Sequence, residues 1–530
     1  MFILKGRFAF EKEQPKKTFG ARFIKVLSVV LAVLGSACYF GTIWGKNAFG
    51  NVTADQLLIN LTSSTDGADS SVYVEVLKGP VLQTLIVTIL FCLFVFLNFR
   101  IVYKVSENRK VIFNGFAHRI ISLVLAVSCL AGGVIYGVKE FNLKQLYNSY
   151  CLTSNLFDEN YVNPKTADII FPEKKRNLIH IYLESLENSF LSTDLGGYMD
   201  VNLMPELTEL SYEGVVFSDN DTKFGGPLTA PGTQWSVASM VNMTTGLPMK
   251  VPAEPNAYGA KDNFLPGAWT LGEILKEQGY EQTIMFGAAA SFGGLDYYYE
   301  SHGDYKIMDH AYALKNGLIP EGYKVNWGYE DEKLYEFAKD EITRLYETGK
   351  PFNFTMETAD THRPNGYLKP GSPQPYPQPY ANAIAFSTAE AVKFIRWIQE
   401  QPFYENTTIL VIGDHLSMDT DFFKYYKFDD NYLRTQYNLI LNPAPNVADI
   451  SEKRLRNRQY ANFDMFPTIL ASIGAEIDGE RLGIGTNLFS DKDTLFEQYG
   501  VDKVNTELEK KSDIYNNTIL VDPSKKQTVE

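Results

Sequence analysis

The chain is poor in cysteine, with four in 530 residues. Cys38, Cys92 and Cys129 fall inside apolar runs near the N-terminus, and Cys151 alone belongs to the long remainder. An intradomain disulfide is therefore excluded there, and with it a small disulfide-held scaffold. A part of this size can fold on its apolar core. Positive charge is also short. Lys and Arg number 49 against 63 Asp and Glu, a net charge of −14, which speaks against nucleic acid as a partner. No internal repeat is visible. Aromatic residues, by contrast, make up 14%, with 32 Tyr and 35 Phe. That bias suits a protein working near a membrane or on sugars.

Three apolar stretches crowd the first 140 residues, at about 26–44, 81–99 and 120–138. Each approaches the roughly 20 residues a helix needs to cross a bilayer. Their length and lack of internal charge favour membrane spans over buried core helices, and no signal peptide accounts for all three. Lys5, Arg7, Lys12, Lys16, Lys17, Arg22 and Lys25 precede the first span. Arg100, Lys104, Arg109, Lys110 and Arg119 separate the second from the third. Between the first and second lie only Lys46 and Lys78, beside Asp55, Asp66, Asp69 and Glu75. The positive-inside rule then expects a cytoplasmic N-terminus and, after three crossings, everything beyond about residue 140 outside. The expected layout is a three-span region at 1–140, a connector at 141–176, an extracytoplasmic catalytic domain at 177–495 and a loosely held polar tail at 496–530.

Beyond the connector, apolar runs at 178–183, 282–286, 352–356 and 407–412 read as strands. Helical patterns fall at 235–241, 271–278, 330–347, 383–399 and 464–473, and a proline-rich loop covers 364–379. Strands alternating with helices predict an α/β domain whose mainly parallel sheet is covered on both faces.

The run 407–412 ends at Gly413, and Asp414 and His415 come next, where the chain leaves the sheet. In open α/β sheets functional side chains gather beyond the carboxyl ends of the strands. A carboxylate beside an imidazole suits a divalent metal, although an Asp-capped turn with a surface His fits the stretch equally. Glu184 ends the run 178–183, either as a second ligand on the same rim or as a solvated strand end. Asp360, His362 and Arg363 lie beyond the strand 352–356 and reach that rim too. Thr233 is the candidate nucleophile. It lies in Gly225-Gly-Pro-Leu-Thr-Ala-Pro-Gly-Thr-Gln-Trp-Ser236, a glycine-rich approach to a helix, where free N–H groups and the helix dipole favour phosphate and an ionised hydroxyl. An ordinary N-cap threonine would look the same. A hydroxyl is a poor nucleophile at neutral pH, so the role would need direct coordination to a cation.

Leu183-Glu184-Ser185, Gly232-Thr233-Gln-Trp235, Asp360-Thr-His362 and Gly413-Asp414-His415 occur in this order. Together they resemble the lipoteichoic acid synthase and phosphoglycerol transferase family, which has the sulfatase/alkaline-phosphatase-like fold. Asp360-Thr-His-Arg-Pro-Asn-Gly366 and Phe292-Gly-Gly-Leu-Asp-Tyr-Tyr-Tyr-Glu-Ser-His-Gly303 bring the likeness closest to the phosphoglycerol transferase I type. It covers about 177–490, including Asp464-Met-Phe-Pro-Thr468. The resemblance implies that Glu184, Thr233, Asp414 and His415 hold one divalent metal, Mn²⁺ in the better-known relatives, with Mg²⁺ or Zn²⁺ also suited to such ligands. It implies that Thr233 attacks phosphatidylglycerol, releases diacylglycerol and passes glycerophosphate to an envelope glycan or glycerol hydroxyl. His362 would line the phosphate pocket and move protons, unless it is an exposed loop histidine bonded locally. A Trp-Asn-Arg-like segment of lipoteichoic acid synthases is replaced here by Gly293-Gly294-Leu295. Asp296, His302 or Arg363, with Asp360 and Trp235, would have to supply the substrate contacts. Three spans, rather than the five common in lipoteichoic acid synthases, weaken the case for a lipid-anchored polymer as product. The expected location is a bacterial inner membrane with the catalytic domain periplasmic or extracellular.

Rival readings share the fold. A sulfatase needs Cys or Ser followed by Pro and Arg, which Thr233-Gln-Trp-Ser-Val237 lacks. Phosphoethanolamine transferases are disulfide-rich. A phosphodiesterase using water as acceptor stays open on sequence alone, whereas the joint presence of Glu184, Thr233, Asp414 and His415 argues against a membrane-anchored binding protein with a dead site.

Overall fold

A computed structural model of the chain describes residues 7–13, 18–49, 70–97, 99–105, 108–250, 258 and 264–522. Contacts divide the chain into two compact units, one ending at Lys144 and the other resuming at Gln145.

Among the described residues of the first unit, three helices are long and apolar enough to cross a membrane: Phe19–Asn47, Tyr73–Phe96 and Gly115–Glu140. The second begins well before the expected residue 81, because the helix continues backwards through Pro80 by widening to a π-turn over Leu77–Val81. Asn114 caps the third, its side chain accepting from the N–H groups of Phe116 and Ala117. The first and third helices touch at glycines. A Cβ on Gly133 would stand 2.2 Å from the Gly35 carbonyl oxygen, so only the bare backbone permits this approach. Strands β1 (Arg7–Lys12), β2 (Phe99–Val105) and β3 (Asn108–Phe113) form an antiparallel sheet in the order β1-β2-β3. The flanking residues Lys5, Lys16, Lys17, Asp55, Asp66 and Asp69 lie outside the described residues.

The second unit carries β4 (Ile169–Ile170), β5 (Asn177–Leu183), β6 (Glu281–Phe286), β7 (Lys306–Met308), β8 (Phe352–Glu357), β9 (Thr407–Gly413), β10 (Asn438–Leu441) and β11 (Glu476–Ile477). Its main sheet runs β10-β9-β5-β8-β6-β7, with only β10 antiparallel to its neighbour. The α/β expectation holds, and it gains two short edge strands. Alternation along the central strands feeds two apolar layers. Leu178, Tyr182, Leu410 and Ile412 point to the side of helices Ser236–Thr245 and Met465–Ser472. Ile179, Ile181, Leu183, Ile409, Val411 and Phe354 point to the side of Asp331–Glu347 and Pro379–Gln399.

Both ends of the expected domain need correction. β4 pairs with β11, so part of the connector is tied into the second unit. The polar tail is not loosely held over its described part. Helices Leu495–Tyr499 and Val501–Leu508 bury Leu495, Phe496, Val504 and Leu508, and Tyr515 and Ile519 join the same core. Residues 523–530 lie outside the described residues.

Candidate metal centre and active site

The parallel register fixes the site. Leu183 of β5 stands opposite Gly413 of β9, and Tyr182 opposite Glu357 of β8. The residues just past these strands emerge side by side on one rim. Glu184, Asp414 and His415 are all buried there, with one candidate ligand atom from each within 4.8 Å of the others. His415 Nε2 lies 3.6 Å from Glu184 Oε1 and 3.4 Å from Asp414 Oδ2.

Hydrogen bonds aim these atoms. His415 Nδ1–H donates to the Leu416 carbonyl at 2.9 Å, a tautomer that leaves the Nε2 lone pair facing the carboxylates. Asp414 Oδ1 accepts from the N–H groups of Ser185 at 2.7 Å and His415 at 2.8 Å. Its Oδ2 is buried without a hydrogen-bond partner. Glu184 is pinned through its backbone, whose N–H donates to Thr358 Oγ1 at 3.0 Å and whose carbonyl accepts from Thr361 Oγ1 at 2.6 Å. Burial, then the Glu184 charge, pushes the Asp414 carboxyl up to about 7. Burial works against a charged His415, but Asp414 and Glu184 outweigh it and the net shift is upward. Two carboxylates crowded onto one imidazole, with an orphaned oxygen between them, fit a divalent cation: its charge would relieve the repulsion and occupy the orphaned oxygen.

Two hydroxyls meet this cluster: Ser185 Oγ donates to Glu184 Oε1 at 2.6 Å, and Ser236 reaches both Glu184 and His415. The Ser236 Oγ lies 3.3 Å from Glu184 Oε2 and 3.3 Å from His415 Nε2. Ser236 is the first residue of the helix Ser236–Thr245, with Trp235 in the N-cap position. The expected nucleophile, Thr233, is buried and turned elsewhere: its Oγ1 donates to the Ala230 carbonyl at 2.9 Å and accepts from the Ala230 N–H at 3.1 Å. That hydroxyl closes the turn leading into the helix. The motif is visible in the sequence, but its two hydroxyls are three residues apart, and only the observed helix start distinguishes them.

The expected substrate contacts fare unevenly. His362 packs against Trp327, with ring centroids 4.4 Å apart and planes tilted by 59°, and its Nδ1–H donates to the Arg363 carbonyl at 2.7 Å. Burial, then the Arg363 charge, lowers it to about 4, and it feels both His415 and Asp414. Asp360 is buried and turned to its own loop: its Oδ2 accepts from the Asp331 N–H at 3.1 Å, and its own N–H donates to Asp331 Oδ2 at 3.1 Å. Burial, then the Asp331 charge, pushes Asp360 up to about 9, which suits a structural acid rather than a ligand for an anionic substrate. His302 is also buried, between Glu273 Oε1 at 2.7 Å and the Phe264 carbonyl at 2.8 Å. Asp296 Oδ1 accepts from the Tyr297 N–H at 2.8 Å. Trp235 is 9% exposed and packs in the core. Arg363 remains partly accessible beside His362.

Glu357 stands at the same rim, and the sequence reading missed it. It ends β8 with Oε1 buried and unpartnered, and burial followed by the Asp414 and Glu184 charges raises it well above the ordinary carboxyl range. Its position directly after an apolar run was the available signal.

A sulfatase family model matches residues 176–475. The chain is similar to phosphoglycerol transferase I from Citrobacter koseri, 29% identical over 415 residues that cover 76% of this chain and 50% of that protein. It is 32% identical to phosphoglycerol transferase I from Salmonella arizonae over 329 residues, 60% of this chain and 40% of the relative. The chain thus spans half the length, or less, of these curated relatives. Among solved structures, the lipoteichoic acid synthase LtaP from Listeria monocytogenes matches with a TM-score of 0.47 and 19% identity, covering 63% of this chain and 81% of that one. The family model spans more than half of the chain and contains every residue of the rim, and the protein belongs to the sulfatase family.

Proposed function

We propose that this chain is a membrane-anchored phosphoglycerol transferase with Ser236, not Thr233, as its nucleophile. The observation that carries the proposal is the Ser236 hydroxyl, 3.3 Å from both Glu184 and His415 at the start of a helix. The relatives named phosphoglycerol transferase I supply the substrate class.

Glu184, Asp414 and His415 would hold one divalent cation, with Mn²⁺, Mg²⁺ or Zn²⁺ compatible with two carboxylates and an imidazole. When bound, such an ion stabilises an ionised hydroxyl and a phosphoryl oxygen. The rest falls to the chain. The helix N-terminus beginning at Ser236 offers free N–H groups and a positive dipole end to the phosphate. Ser236 Oγ attacks the phosphorus of phosphatidylglycerol. The bond to the diacylglycerol oxygen breaks, and that oxygen leaves with a proton. His362, neutral at pH 7 with its own proton on Nδ1, takes the Ser236 hydroxyl proton at its free Nε2 and passes it to that departing oxygen. The glycerophosphoryl-serine is then attacked by a glycan or glycerol hydroxyl, which loses its proton to the same imidazole; the phosphorus–Ser236 bond breaks and the imidazole returns that proton to the Ser236 oxygen. The charge around the spans, read by the positive-inside rule, supports a location for this chemistry on the outer side of a bacterial inner membrane.

The test is to supply phosphatidylglycerol labelled in its head group to membranes containing the full chain. Label should pass to polysaccharide or glycerol, and Ser236→Ala should stop it. Release of free glycerophosphate as the sole product would make water the acceptor and the protein a phosphodiesterase. Full transfer by Ser236→Ala would refute the nucleophile.

A further inference from the structure

The small sheet of the first unit has two unlike faces. The register places Phe8 opposite Tyr103, Phe10 opposite Ile101 and Ile101 opposite Phe113. Because strand side chains alternate, these residues and Phe99 share one face. Ring contacts bear this out: Phe8 lies 5.1 Å from Tyr103, Phe10 6.1 Å from Phe99, and Phe99 stacks on Phe113 at 5.4 Å. The aromatic face continues onto the ends of the helices. Phe94, Phe99 and Phe113 all pack against His118, in the first turn of the helix Gly115–Glu140. Its outer rings are bare, with Phe8 67% and Phe10 75% exposed.

The opposite face is cationic. Arg7, Lys104 and Arg109 lie in one cross-strand row, with Arg100 on the same face. The single carboxylate on these strands, Glu11, is shared among Arg100 and Lys104, at 3.1 and 3.2 Å, and Arg109. Lys12 and Lys110 lie on the aromatic face, opposite Phe99 and Tyr103, where their long stems can carry the charge to the edge. Six cationic side chains thus stand against one acid, in a chain whose net charge is −14. Like charges directly opposite each other destabilise a sheet unless something neutralises them.

We propose that this sheet is an interfacial anchor that binds anionic phospholipid. The aromatic face lies at the acyl boundary, where exposed rings are favoured, and the cationic face lies among the phosphates. Two features select lipid over a protein partner. The bare rings are continuous with the ends of two helices that are themselves apolar enough to be lipid-facing. The excess charge has the sign that anionic headgroups neutralise. The inference rests on the spans crossing a membrane, and it is independent of the transfer chemistry.

The test uses the full chain in vesicles, with its four cysteines replaced and a nitroxide placed at Phe10→Cys. A reference label at Asp421, whose side chain is 80% exposed, reports bulk water. In vesicles containing phosphatidylglycerol, the label at position 10 should collide several-fold more with oxygen, relative to a water-soluble nickel chelate, than the reference does. Pure phosphatidylcholine should lower that ratio, and Arg100→Gln/Lys104→Gln/Arg109→Gln should remove the difference between the two lipids. The lipid exchange keeps the test valid if the triple variant folds poorly. A label open to the chelate in both lipids would place the sheet in water and overturn the proposal. So would a label shielded from both reagents, which would mean that protein covers the face, or a ratio indifferent to lipid charge.

Discussion

At the scale of single residues, the account turns on which side chain touches which. Glu184, Asp414 and His415 were legible because each lies just past an apolar run, and parallel strands deliver their next residues to one rim. Ser236 was not, since two hydroxyls three positions apart both fit a helix entrance. Asp360 and His302 show a different limit: a polar residue in a motif looks available until its buried partner is seen, here Asp331 and Glu273. The observed bonds separate the roles experimentally. Thr233→Val should disturb the turn at Ala230 and cost about 1 kcal/mol, the usual worth of a lost hydrogen bond, yet retain turnover. Ser236→Ala should keep its fold while losing a factor of roughly 1,000 or more in rate. Denaturant unfolding and assay of a phosphatidylglycerol analogue would check both. His362→Ala should slow the reaction by roughly 100-fold and leave bound metal unchanged, whereas Glu184→Gln should lower the metal content itself, measured by elemental analysis of the purified protein.

At the scale of elements, sequence periodicity found the long pieces and missed the short ones. β5 and β9 announced themselves through branched apolar runs. β7 and β10, at three and four residues, are too brief to show a period. The helix Pro379–Gln399 starts inside what read as proline-rich loop, because proline is favoured in a helix's first turn. The C-terminal helices were hidden by their polar majority, although Val504 and Leu508 keep the four-residue spacing of a buried stripe. Gly413 joins β9 to the rim at a point where a Cβ would sit 1.8 Å from the Leu186 carbonyl oxygen. Gly413→Ala should therefore displace Asp414 and destabilise the protein by about 1–3 kcal/mol, with weakened metal retention. The buried Glu273–His302 pair gives a pH signature. Burial opposes both charges, but their attraction prevails, holding Glu273 below its ordinary 4.5 and His302 above its ordinary 6.5. The pair's contribution is full between those values. It is lost as pH falls through the depressed Glu273 value and as pH rises through the raised His302 value. Glu273→Gln should cost about 3 kcal/mol at pH 6 and less at pH 9, read from thermal unfolding across that range.

At the scale of the whole molecule, the chain pairs three apolar helices with a sulfatase-family unit whose polar rim closes around two carboxylates, an imidazole and a hydroxyl. The charge flanking the spans predicts orientation. Cys151 is exposed, lies beyond the third span, and should react with a membrane-impermeant thiol reagent applied from outside the inner membrane. Labelling only after the membrane is breached would invert the topology. The central claim, that this rim turns the Ser236 hydroxyl into an attacking group, is reached most directly by trapping the covalent species. The full chain would be incubated with a phosphatidylglycerol analogue, quenched and digested, and the modified residue identified by mass spectrometry, with and without a chelator. The account predicts a glycerophosphoryl group on Ser236 that disappears when divalent metal is removed. The same group on Thr233, or on Ser236 with the chelator making no difference, would contradict it.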